Sequence, residues 1–216
     1  MITNLSLKSS LVNQFISEMR STSIQTDRMR FRKNIERLGE IMAYEISQQL
    51  EYKTETVTTP LGKIDMQVLS LQPVIGTILR AGLPLHQGIL NYFDQADNAF
   101  ISAYRKHKND GGFDIELGYL ASADMNNRPL IIADPMLATG RSMVETLQLV
   151  LKQFTPSVIH IACVIASNDG IAYATKHLPQ AHIWAAAVDR DLNADAYIVP
   201  GLGDAGDLAF GDKMQH

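Results

Sequence analysis

Cysteine is almost missing from this chain. Cys163 is the single one in 216 residues, so no disulfide can form within the chain. Its place in the apolar run IHIACVIA reads as a buried, inert thiol. The six histidines are scattered without ligand spacing, which disfavours a zinc centre. No apolar run approaches the length of a membrane span. The N-terminal MITNLSLKSS lacks the basic-then-apolar layout of a secretory signal, so a cytoplasmic protein is expected. An excess of basic residues is lacking too. The formal charge of −4 argues against a nucleic-acid-binding surface, and any anionic ligand must be met by local positive groups. Repeats, linkers and low-complexity segments are absent from the sequence. What remains is a chain with 46% hydrophobic residues, enough for one sizeable core, and a single domain over residues 1–216 is the default.

Periodicity places the elements. Residues 5–20 read as a short helix. Residues 27–50 read as a longer one, because Phe31, Ile35, Leu38, Met42 and Ile46 recur at helical spacing behind Asp27, a suitable N-cap. Residues 52–59 and 63–69 alternate around Pro60-Leu61-Gly62 and predict a β-hairpin arm, a flap or an oligomer contact. From residue 73 onward, apolar strands alternate with helices: strands at 73–79, 99–104, 115–120, 130–133, 158–166 and 181–188, and helices at 83–92, 142–153 and 170–177. Continuous apolar strands separated by helices predict an α/β fold, with a mainly parallel sheet flanked by helices on both faces. Ligands in such sheets bind at the carboxyl ends of the strands. Arg80, Arg105, Asp134 and Asp189 all fall just past predicted strand ends.

Three segments carry chemistry. The first is LIIADPMLATGRSM, residues 130–143. A buried strand delivers Asp134, and a turn of small and polar residues (Ala138, Thr139, Gly140, Arg141, Ser142) opens into a helix. The acid suits ribose hydroxyls. The turn amides and the positive helix end suit a phosphate. A capping aspartate is the plainer alternative, and the missing Gly-Lys-Ser/Thr ending excludes a P-loop. The second is ILRAG, where Arg80 between an apolar strand and Ala81-Gly82 is costly without a partner; a pyrophosphate would be one. Arg105, in AYRKHKND, is equally readable as part of a solvated basic loop. The third is IVPGLGDAGDLAFG, residues 198–211. With four glycines, a proline and two aspartates it is too broken to hold a core together. It reads as a backbone-lined pocket for a flat polar ligand, with Asp204 and Asp207 available to sugar, metal or base.

Together these segments resemble the uracil phosphoribosyltransferases, a type I phosphoribosyltransferase family, in ILRAG, DPMLATGRS and YIVPGLGDAGD, and the likeness spans nearly the whole chain. The resemblance implies transfer from 5-phosphoribosyl 1-diphosphate (PRPP) to uracil, giving UMP and diphosphate, with Mg²⁺. It matches Arg80 and Arg105 to PRPP-binding arginines. It also assigns PRPP to Asp134, Pro135, Met136, Leu137, Ala138, Thr139, Gly140, Arg141 and Ser142. Ile198, Gly203, Asp204 and Ala205 match a uracil pocket in a C-terminal hood loop, and Asp204 also touches PRPP. Arg80, Asp134 and Asp204 are thereby the catalytic candidates. Magnesium is expected on the diphosphate oxygens and water, with no protein cage. Uracil's carbonyl, N–H, carbonyl edge suits backbone groups, whereas cytosine would leave buried groups unpaired. Relatives are usually dimers or higher homo-oligomers, and some are activated by GTP.

Four places depart from the family pattern. Arg141 stands where relatives mostly carry a small residue, IASNDGI replaces an apolar-Pro-Glu-Gly-Ile run, and KHKNDGGFDIELGYL and DRDLNADAYIVPG vary their surroundings. Two other functions fit the same fold: a phosphoribosyltransferase for another base, and a non-catalytic regulator that senses PRPP or UMP and binds RNA. The acidic balance disfavours the regulator.

Overall fold

The computed structural model describes residues 1–107 and 113–212, those at 103–107 and 113–117 by their backbone alone. In chain order it begins with strand β1 (Ile2–Asn4), a 3₁₀ turn (Leu5–Leu7), helices α1 (Leu11–Arg20) and α2 (Arg28–Ser47), and the hairpin β2 (Tyr52–Thr59) and β3 (Gly62–Leu69). Next come β4 (Val74–Ile78), α3 (Leu83–Tyr92), β5 (Asp97–His107), β6 (Phe113–Ser122), β7 (Pro129–Ala133), β8 (Met136–Leu137) and α4 (Arg141–Leu151). The chain closes with β9 (Val158–Ser167), α5 (Asn168–His177), β10 (Ala181–Asp189), β11 (Asp191–Leu192), β12 (Ile198–Val199) and α6 (Ala205–Phe210).

The predicted helix over residues 5–20 is broken. Ser10 takes the N-cap and forms a reciprocal capping box with Asn13, so the regular helix starts only at Leu11. Before it, Ile2–Asn4 adds an edge strand parallel to β10. Asp27 caps α2 as expected, its carboxylate accepting the Arg30 N–H at 3.0 Å.

Among the described residues the central sheet runs β1-β10-β9-β7-β4-β5-β6, with β8 also on β9. Every pairing is parallel except β5 with β6. Side chains alternate between two cores. Ile131 and Ala133 of β7 face α1, α2 and α3. Leu130 and Ile132 face α4 and α5. Burial on both faces explains why the strands read as unbroken apolar runs. No helix among the described residues is long and apolar enough to cross a membrane. The hairpin β2–β3 forms a separate two-stranded sheet whose residues are exposed through Gln67, Leu61 completely so.

Candidate functional site

β4 and β7 are neighbours, with Thr77 in register with Ala133. The sheet therefore brings the Arg80 loop beside Asp134 at their carboxyl ends. The loop after β4 packs on the end of β7. A methyl added to Gly82 would meet the Thr77 hydroxyl and lie 2.5 Å from the Ala133 carbonyl oxygen. Gly82 is thus small because two strand ends meet there, beyond the ligand approach read from the sequence. The Leu79–Arg80 peptide bond is cis.

Asp134 leaves β7 with its N–H on the Ala162 carbonyl at 3.1 Å. The chain then follows β9 into β8, and the Pro135 carbonyl accepts from Val164 and Ile165, both at 3.0 Å. The Asp134 carboxylate accepts the Met136 N–H at 3.4 Å. Burial, and then the Asp134 charge, push the Cys163 thiol above its usual range. Cys163 is fully buried with its S–H on the Trp184 carbonyl, which fits the inert reading.

The turn that follows is held against α5. Ser167 Oγ donates to the Ala138 carbonyl at 2.5 Å while accepting the Gly170 N–H at 2.8 Å. Gly140 adopts φ +74°, and a methyl there would lie 2.7 Å from the Gly170 carbonyl oxygen. Thr139 Oγ1 accepts the Arg141 N–H at 3.4 Å. Gly140 and Ser142 flank Arg141, the exposed first residue of α4. Ser167 and Gly170 lie in the IASNDGI run, where the sequence alone gives neither a role. Their signal was an N-cap serine ahead of the helix at 170–177.

The C-terminal run contributes more than a loop. β11 and β12 pair antiparallel, and α6 follows. Ile198, Leu202, Ala205 and Ala209 are all buried in the core that α1, α2 and α3 share. This corrects the expectation that the segment cannot hold a core. Ile198 and Ala205 consequently turn their side chains inward. Asp204 is the N-cap of α6, with Oδ1 accepting the Asp207 N–H at 3.0 Å. The Ala205 N–H points to Met136 Sδ at 3.4 Å, tying the hood to the Asp134 segment.

Two acids move from their expected places. Asp189 ends β10, but Arg20 takes it in a bidentate pair at 2.7 Å, and it accepts the Gly201 N–H at 2.8 Å. Burial pushes the Asp189 carboxyl up, yet the hydrogen bonds from Arg20 and Gly201 outweigh it and leave it below its ordinary value. Asp207 pairs with Arg80 at 3.1 Å. The partner that Arg80 needs therefore exists within the chain. The Arg105 side chain lies outside the described residues; its backbone pairs with Ile115 in the β5–β6 ladder.

A cavity of about 610 Å³ opens against the hood, lined by Gly203, Asp204, Asp207, Leu208 and Asp212 on one side and by Gln25, Thr26 and Arg28 on the other. Gln25 fixes that second wall, donating to the Met19 and Leu202 carbonyls at 2.8 and 3.2 Å. Nothing in the sequence marked these three, which lie just before and at the start of α2. Among the described residues, no group of three or more His, Cys, Asp or Glu side chains is placed to hold a metal ion.

Known proteins resemble this chain in sequence and fold. Residues 6–212 match the family model for uracil phosphoribosyltransferase. The uracil phosphoribosyltransferase of Porphyromonas gingivalis is 51% identical, over 99% of both chains. That of Methanococcus vannielii is 40% identical over 89% of this chain and 84% of its own. That of Pyrococcus furiosus is 34% identical over 94% and 88%. A solved protein of Aquifex aeolicus superposes over the full length of both chains with a TM-score of 0.84 at 26% identity. A hypoxanthine phosphoribosyltransferase of Staphylococcus aureus shares the fold at a TM-score of 0.52, 9% identity, and 74% and 76% coverage. With a match over almost its entire length, the chain belongs to the uracil phosphoribosyltransferase family.

Proposed function

We propose that the chain transfers the 5-phosphoribosyl group of PRPP to uracil, giving UMP and diphosphate in pyrimidine salvage. The observation that carries this reading is the convergence of Arg80, the Asp134–Ser142 turn and the Asp204 hood at the carboxyl edge of one sheet. Uracil N1 bonds to the anomeric carbon as the bond from that carbon to the diphosphate oxygen breaks, and positive charge builds on the ribose meanwhile. The chain therefore has mainly to position and to neutralise.

Asp134 holds the ribose hydroxyls. Pro135, Met136 and Leu137 carry the chain along β9 to the phosphate turn. Ala138, Thr139, Gly140, Arg141 and Ser142 present amides, hydroxyls and one guanidinium to the 5-phosphate. Arg80, and Arg105 by its family match, meet the diphosphate. Ile198, Gly203 and Ala205 belong to the uracil pocket by their family match, Ala205 with its N–H on Met136 Sδ. Asp204, oriented by capping α6, faces both substrates and is the candidate to take the N1 proton. Mg²⁺ would arrive with PRPP, held by diphosphate oxygens and water, and would supply charge neutralisation for the leaving group. A homo-oligomer is part of this reading, since an exposed two-stranded hairpin is marginal alone and gains stability against a second copy. A charged, phosphorylated substrate supports a cytoplasmic location.

Incubation with PRPP, Mg²⁺ and a panel of bases, following diphosphate release, tests the assignment. Uracil should exceed cytosine and hypoxanthine clearly; equal rates would overturn it. Asp134→Ala should abolish PRPP use with the fold intact.

A further inference from the structure

Arg80 is already occupied. Its Nη2 donates to Asp207 Oδ1 at 3.1 Å and to the Gly211 carbonyl at 2.7 Å. Both acceptors belong to the hood: Asp207 lies in the first turn of α6, and Gly211 is its C-cap. The helix also rests on the same loop, since a methyl on Gly206 would sit 3.6 Å from Ala81 Cβ. A single side chain from the β4–α3 loop thus grips α6 near both of its ends.

The grip is of an exchangeable kind. The ion pair is made through one carboxylate oxygen, and both side chains are about one-third exposed (35% and 33%). A diphosphate offers several charged oxygens to the same planar guanidinium, in geometries that one carboxylate oxygen and one carbonyl cannot match. The helix does not depend on Arg80 alone. Arg32 holds the Ala209 carbonyl from α2 at 2.7 Å, and Ala205 stays on Met136. Asp207 also lines the cavity against the hood, so its release would leave a carboxylate facing that space.

We propose that Asp207 is a positioning residue that competes with the substrate's diphosphate for Arg80. Occupation of Arg80 by diphosphate then frees Asp207 and Gly211, and departure of diphosphate returns the clip. Diphosphate binding and anchoring of the 207–211 stretch oppose each other, and by linkage each weakens the other equally. This inference rests on the reading that Arg80 meets the diphosphate.

Calorimetric titration with Mg²⁺-diphosphate into the intact protein separates the two ideas. Asp207→Asn keeps the side-chain shape and removes the charge, so diphosphate should bind roughly 2–5-fold tighter, the range an exposed ion pair represents. Asp207→Glu should stay near wild type. Arg80→Ala should bind at least roughly tenfold weaker. In wild type, amide hydrogen exchange over residues 205–212 should speed up when diphosphate is added; in Asp207→Asn it should start fast and respond little. If Arg80→Ala loses affinity while Asp207→Asn is unchanged or weaker, the competition is wrong and Arg80 remains the diphosphate ligand. If Arg80→Ala binds as wild type does, the reading beneath the inference fails with it.

Discussion

Arg20, the last residue of α1, holds Asp189, the last residue of β10, through two parallel hydrogen bonds of 2.7 Å. The same guanidinium donates to the Gly201 carbonyl at 3.0 Å, and Asp189 accepts the Gly201 N–H. Two sides of one hood residue are thereby fixed to the N-terminal helix and the sheet. Arg20→Met would leave the buried Asp189 carboxylate unpaired, at a cost of about 3 kcal/mol in urea unfolding. Because Gly201 stands at the root of the hood, the uracil KM should rise more than the PRPP KM. Equal changes in both would place Arg20 in general stability alone.

The local parts of this arrangement were legible in the sequence, and the long-range pairs were not. The apolar run ending in Asp134, the Asp27 cap and the hairpin around Pro60 follow from patterns within a few residues, and the structure has all three. Arg80 was readable as a charge that needs a partner. That partner, Asp207, lies 127 residues further along, and no local pattern couples the two. β1 is only three residues long and owes its form to pairing with β10, so it shows no period of its own. In the C-terminal run, dense glycine and aspartate masked the apolar residues at 198, 202, 205 and 209, whose spacing is nearly helical and whose burial is nearly complete.

Glu18 should set the acid end of the stability profile. Hydrogen bonds from Arg30, Asn34 and Gln14 hold its carboxyl down at about 2, against an ordinary 4.5. A depressed folded value means the stabilisation is complete above about pH 4.5 and is lost as the pH falls toward 2. Its size is about 1–2 kcal/mol, because Arg30 is half-exposed and its charge is screened. Glu18→Gln should lower stability by that amount at pH 7 and flatten the profile below pH 4.5, as read by urea denaturation. A profile unchanged in slope would remove Glu18 from the acid transition.

His160 should act in a higher window. It is buried, and the Trp184 indole N–H donates to its Nδ1 at 3.1 Å, which puts the proton of the neutral ring on Nε2. Burial, with the neighbouring His182 second, pulls its value down to about 4 from 6.5. The unfolded chain therefore takes up a proton between pH 6.5 and 4 that the folded chain refuses, and stability falls as the pH drops through that range. The loss should reach about 2–3 kcal/mol by pH 4. His160→Gln can still offer Trp184 an acceptor and should be markedly flatter between pH 7 and 4.5. His182, half-buried and also lowered, accounts for any residual slope.

Arg141 is the charged residue of the 138–142 turn proposed to hold the 5-phosphate. It is exposed at the start of α4 and makes no side-chain hydrogen bond among the described residues. A guanidinium beside turn amides adds a charge-assisted contact to a bound phosphate, weakened by exposure to solvent. Arg141→Gly should raise the PRPP KM roughly 2–5-fold at low salt, leave kcat unchanged and reduce the loss of PRPP affinity with added salt. A rise in kcat with KM unaltered would instead mean that the side chain restrains closure of the turn. An unaltered KM, salt dependence and kcat would make Arg141 a solvated helix residue with no part in holding PRPP.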